Sequence, residues 1–227
     1  MSVTDGQSVA AGRIDLDDVP VRIRQHFDGV NAAREAGLSA CRRTIRSCGS
    51  AIRALHRHEP QRAVELVGEA ERALREAQAA VRPYPAVAFA GFLHDAEKEF
   101  AEAVLTGALI AGGRLVSHEE IGVELPAWLN GMAEGASELR RHLLDRLRAG
   151  ELDVAERLLG AMEDVYELLV TVDYPDAITG GLRRSADALR AVLERTRSDL
   201  TTTILQARLQ AAIEADLRAS VERGPGR

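Results

Sequence analysis

Apolar residues recur along most of this chain with the period of a helix, and no useful stretch alternates with the period of a strand. From Ile23 through Phe27, Val30, Leu38, Cys41, Ile45, Cys48 and Ile52 to Leu55 the apolar positions predict one long amphipathic helix. Asp15 to Asp18 supply caps for its start, and Pro20 sits in its first turn. Pro60 opens a second helix that runs to about Val81, where Pro83-Tyr84-Pro85 closes it. A third spans roughly Val87 to Ile110 and stops at Gly112-Gly113, before a short segment from Ser117 to Gly122. Pro126 starts a helix extending to Ala149, and Asp153 to Val172 forms another. The last runs from about Asp176 past Ile213, with a soft point at Gly180-Gly181. The expectation is an all-α, single-domain bundle of about seven helices over residues 18–217, with flexible tails at 1–17 and 218–227. Apolar stripes on helices this long need further surface to cover them, so oligomerisation is expected.

Composition agrees with this reading. Hydrophobic residues make up 46% of the 227 positions and charged residues 28%, which excludes disorder, while aromatics at 4% and abundant Ala, Leu, Arg and Glu suit helices rather than sheets. No charged-then-apolar leader opens the sequence, and its most apolar run, Ala103 to Gly113, falls short of the ~20 residues that span a bilayer. No membrane partner and a cytoplasmic location are expected. Cys41 and Cys48 are too few for a zinc site, and their spacing places them on one helical face as core residues.

The net charge of −6 argues against a nucleic-acid partner until it is resolved by position. Residues 22–62 hold nine arginines against three acids, Asp28, Glu35 and Glu59, a local +6. On the first helix Arg24, Arg42, Arg46, Arg53 and Arg57 fall within about 60° of arc, separate from the apolar stripe and interrupted by Glu35. Arginine forks in a row suit a phosphate backbone. A solvated charged face is the competing reading, since no aromatic residue is interleaved for base stacking.

Acidic residues carry the second candidate chemistry. Asp95, Glu99 and Glu102 share one face of the third helix, with Glu102 at the mouth of the uncharged run from Ala103 to Ile110. Glu134 and Glu138 are four apart in the helix that begins at Pro126. Two helices, each offering two carboxylates from one face, can converge on divalent ions, and oxygen-only ligands favour Mg²⁺ or Mn²⁺ over zinc. The plainer reading is a set of surface acids answered by Arg140, Arg141 or Lys98, the last being the sole lysine of the chain. Other chemistries lack their residues. His118-Glu119-Glu120 begins like a zincin helix but has no second histidine, no phosphate-cradling glycine loop or nucleophile elbow occurs, and Glu99 and Glu138 are not followed at i+3 by the histidines of a di-iron site.

At these same residues the sequence resembles the translin family, and within it the branch of translin-associated factor X. Lys98-Glu99-Phe100-Ala101-Glu102-Ala103 is similar to that branch's Glu-aromatic-x-Glu-Ala motif, and Trp128-Leu129-Asn130-Gly131-Met132-Ala133-Glu134 through Glu138-Leu139 to its Tyr-Leu-x-Gly-x-x-Asp-x-x-x-Glu-Leu helix. Tyr174-Pro175 through Gly181-Leu182-Arg183-Arg184, followed by Asp187, resembles prokaryotic members. The resemblance implies a subunit of about seven helices that assembles into a closed octamer around a cavity. It also implies metal-dependent endoribonuclease activity on single-stranded RNA. Carried over by position, Glu99, Glu102, Glu134 and Glu138 are the metal-binding and catalytic set, with Mg²⁺ or Mn²⁺ as cofactor. Glu134 stands where the family pattern has Asp, which keeps the charge and lengthens the reach by one methylene. Arg42, Arg46, Arg53 and Arg57 are then the candidate nucleic-acid contacts on a helix that can face the interior. The alternatives are a translin-like protein that holds RNA or single-stranded DNA without cutting it, and a helical oligomer with no nucleic-acid role.

Overall fold

The computed structural model describes residues 16–222, and the outer parts of the two expected tails, 1–15 and 223–227, lie outside the described residues. Nine helices and no strand occur among the described residues. They are α1 (Val19–His56), α2 (Pro60–Val81), α3 (Pro85–Ala88), α4 (Phe92–Ala111), α5 (His118–Ile121), α6 (Leu125–Arg148), α7 (Leu152–Val170), α8 (Asp176–Thr179) and α9 (Leu182–Glu222). α3, α5 and α8 are single turns. The six long helices form the expected all-α bundle.

Proline and glycine set most of the boundaries. Pro20, Pro60 and Pro126 each occupy the first turn of their helix, where a missing N–H costs nothing. α1 ends at Arg57 and His58, the latter in the left-handed region at φ 59°, and the chain turns back at once into α2. Two expected helices are each divided. The third breaks at Gly91, whose φ of 95° no helix tolerates, so Pro85–Ala88 is a separate turn ahead of α4. The last breaks at the soft point, where Gly180 at φ 62° and Gly181 at φ 83° separate α8 from α9. α9 then continues to Glu222, past the boundary expected at 217.

α1 packs on α2 and α4, α4 on α6, and α6 on α7 and α9. Alanines are frequent among the buried residues of α1 and α2, including Ala40, Ala51, Ala54, Ala70 and Ala77. Leu105, Met132, Leu139, Leu143, Leu158, Met162 and Leu189 fill the centre. Cys41 and Cys48 are buried in the same core. Burial, with Glu99 and Glu102 nearby, pushes the Cys48 thiol up to about 12, which leaves it an inert packing group.

The ends of the two longest helices project beyond the core. Ile23 and Phe27, which continue the apolar stripe of α1, are exposed, as are Leu205, Leu209, Ile213 and Leu217 at four-residue spacing on α9. No helix among the described residues is long and apolar enough to cross a membrane.

Candidate metal centre and flanking basic face

α4 and α6 cross at an unusually small separation, and glycine is the reason. A Cβ at Gly131 would meet the Lys98 carbonyl oxygen at 2.6 Å and the Glu102 nitrogen at 2.8 Å; one at Gly135 would stand 3.2 Å from the Glu102 carbonyl. Both glycines lie on the α6 face that carries Ala127 and Met132 into the core, and both meet α4 around Glu102. Close approach of the two backbones therefore centres on the acidic residues.

Glu99, Glu102 and Glu134 come together there, with one carboxylate oxygen from each within 4.8 Å of the others. Glu102 forms the floor at 8% exposure, and Glu99 and Glu134 are half-buried above it. No hydrogen bond among the described residues ends on the Glu102 carboxyl. Burial, then the charges of Glu134, Glu99 and Glu138, push its pKa up to about 8. Glu99 is likewise raised, chiefly by burial, with Lys98 opposing. Ionised together, the three carboxylates would carry more negative charge than one cationic side chain offsets, and their oxygens are hard donors suited to Mg²⁺ or Mn²⁺.

Lys98 is the cation at the cluster. Its Nζ donates to both Glu134 oxygens at 2.7 Å and lies 3.7 Å from Glu99 Oε1. Arg140 instead reaches α9, bonding Thr196 and Asp199, and Arg141 is exposed. Of Arg140, Arg141 and Lys98, the three cations expected to answer these acids, Lys98 alone is seen to meet them.

Glu138 stands beside the triad rather than in it. Its Oε2 lies 2.6 Å from Nε2 of His56, a side chain only 5% exposed in the last turn of α1. His56 is the neighbour of the cluster that sequence reasoning missed: a lone histidine between Leu55 and Arg57 carries no periodic signal. A second buried acid of α4, Glu97, faces away from the cluster. It accepts from the Gln78 side chain at 2.8 Å and from the Glu124 backbone at 3.3 Å, and so joins α2 to the start of α6.

Arg42, Arg46, Arg53 and Arg57 are all exposed along α1. Around the helix axis Arg42, Arg46 and Arg53 fall within about 80° of His56, so the basic row borders the face that meets Glu138. Glu35, the acid within that sector, is bonded by its neighbour Arg34 at 2.6 Å.

No family model matches the chain. An uncharacterized protein of Methanocaldococcus jannaschii is 28% identical over 185 residues, covering 79% of this chain and 80% of that protein. Among solved structures, the complex of Archaeoglobus C3PO with duplex RNA is 32% identical with a TM-score of 0.76, covering 84% of this chain and 98% of that chain. A crystal structure of the same Archaeoglobus protein gives a TM-score of 0.77 over 84% of this chain and 99% of that one. Apo C3PO from Nematostella shares the fold, with a TM-score of 0.75 at 18% identity, over 85% of this chain and 100% of that one. By its likeness to the Archaeoglobus protein over nearly all of that chain, this chain belongs to the C3PO (translin) family.

Proposed function

We propose that this chain is a metal-dependent endoribonuclease of the factor X branch. It acts through one translin-like domain, residues 18–217, in a cytoplasmic homo-oligomeric shell, an octamer by the family resemblance. The observation that carries the proposal is the convergence of Glu99, Glu102 and Glu134 on one point, over a floor carboxyl pushed up to about pKa 8 by burial and then by its acidic neighbours. The donor set fits Mg²⁺ or Mn²⁺, which when bound supplies Lewis-acid polarisation of a phosphodiester. Glu99, Glu102 and Glu134 hold the cation. Glu138, oriented by His56, accepts the proton of the attacking water as the phosphorus–oxygen bond to the leaving group breaks. Arg42, Arg46, Arg53 and Arg57 hold phosphates of single-stranded RNA alongside, at positions that also suit single-stranded DNA.

Labelled single-stranded RNA tests this directly. The protein cuts it with Mg²⁺ or Mn²⁺ and leaves it intact in EDTA; equal cleavage in EDTA overturns the metal role.

One observation favours a second reading, a non-catalytic translin-like protein that holds RNA or single-stranded DNA. The Archaeoglobus relative is seen in complex with duplex RNA, which speaks for binding and not for cutting. Under that reading binding is salt-sensitive and indifferent to metal.

A further inference from the structure

Lys98 is one lysine among 29 Lys and Arg residues. Every other strong cation in the chain is a planar guanidinium, yet the position inside the carboxylate cluster carries a compact ammonium on a flexible stem. Its surroundings give that difference a use. The Nζ sits 2.7 Å from both oxygens of Glu134, which is one of the three converging carboxylates. The Lys98 side chain is 23% exposed, more open than the Glu102 floor.

Any cation held by Glu134 must therefore take that carboxylate from Lys98. An arginine here would grip both oxygens in a rigid fork and surrender them less readily. An ammonium on four methylenes can swing aside. A phosphodiester approaching this cluster meets several carboxylates, and Lys98 is the positive group already in place among them.

Resting on the nuclease reading above, we propose that Lys98 is an exchangeable cation and a catalytic residue. It neutralises Glu134 while the cluster is without metal, and once Glu134 engages a divalent cation, the freed ammonium contacts a non-bridging oxygen of the RNA phosphate. Charge delivered there stabilises the transition state rather than the ground state.

Two variants separate this from a merely structural ion pair. Lys98→Met loses the competing cation and binds Mn²⁺ several-fold more tightly in calorimetry. Its single-turnover cleavage at saturating Mn²⁺ falls about 10²-fold, while RNA affinity in Ca²⁺ changes far less. Lys98→Arg retains the metal-free melting temperature and binds Mn²⁺ more weakly than the parent, which keeps the proposal testable if Lys98→Met folds poorly. Unchanged or weaker Mn²⁺ binding by Lys98→Met, or unchanged binding by Lys98→Arg, overturns the exchange. Parental cleavage by Lys98→Met overturns the phosphate contact. A parent protein that binds Mn²⁺ but cuts no RNA defeats the nuclease reading and the phosphate contact together, and the two Mn²⁺ affinities still decide the exchange.

Discussion

Nε2 of His56 stands 2.6 Å from Oε2 of Glu138 and so ties the end of α1 to the face of α6 that also carries Glu134. That face continues at four-residue intervals through His142 and Arg146, and the His142 ring lies 5.2 Å from that of His58 just beyond α1. The Nδ1 atoms of His56 and His142 are buried without hydrogen-bond partners, so Glu138 is the one polar anchor His56 has among the described residues. His56→Ala is expected to destabilise the fold by ~1–3 kcal/mol, since it removes a buried ring and a charged hydrogen bond. Urea denaturation measures this, and an unchanged midpoint would show that the contact contributes nothing.

Helix spacing at the cluster predicts a second effect. Gly131→Ala places a methyl group 2.6 Å from the Lys98 carbonyl and 2.8 Å from the Glu102 nitrogen, both of them backbone atoms of α4 that cannot rotate away. The helices must separate, at a cost of about 1–3 kcal/mol in overpacking. Mn²⁺ affinity is expected to fall along with the melting temperature. A variant that melts lower but binds Mn²⁺ as before would uncouple helix spacing from the carboxylate geometry.

The Glu102 carboxyl predicts a pH dependence with a definite sign. Its pKa rises from an ordinary 4.5 to about 8 on folding, mainly through burial and then through Glu134, Glu99 and Glu138. The folded state thus binds this proton more tightly than the unfolded state. The associated stability is present in full below about pH 4.5 and drains away as pH rises towards 8. Glu102→Gln, which cannot ionise, should gain melting temperature over the parent in EDTA, by a margin that grows from pH 5 to pH 8. A margin that shrinks over that range would contradict the buried protonated carboxyl. Because holding a cation requires the ionised form, Mn²⁺ affinity of the parent should rise over the same range.

On the basic face, each arginine that neutralises a phosphate adds to the salt dependence of binding. Replacing both Arg46 and Arg53 by alanine should weaken binding of single-stranded RNA at low salt and lower the slope of log K against log salt by about 1.4, roughly 0.7 for each lost contact. An unchanged slope would assign the row to solvent.

The residues that were legible from sequence share one property: their signal is local. Pro20, Pro60 and Pro126 announce helix starts, and the three- and four-residue spacings of Glu99, Glu102, Glu134 and Glu138 place them on their helix faces before any packing is known. The break at Gly91 was not legible, because apolar residues on both sides keep the helical period across it and only the φ of 95° interrupts the chain. Nor was the pairing of Glu138 with His56, which joins positions 82 residues apart. The function of Gly131 and Gly135 was equally hidden. Sequence marks them as poor helix formers, whereas the structure shows each against the α4 backbone. Lys98 was visible as a candidate counter-charge, but its choice of Glu134 depends on how near α6 comes.

Single-turnover cleavage by Glu134→Ala, measured beside its RNA affinity, decides whether the carboxylate cluster is the catalytic centre. The variant should bind labelled single-stranded RNA with parental affinity in EDTA, through Arg42, Arg46, Arg53 and Arg57, and fail to cut it when Mg²⁺ or Mn²⁺ is added. Cleavage at the parental rate would contradict a catalytic centre built on Glu99, Glu102 and Glu134.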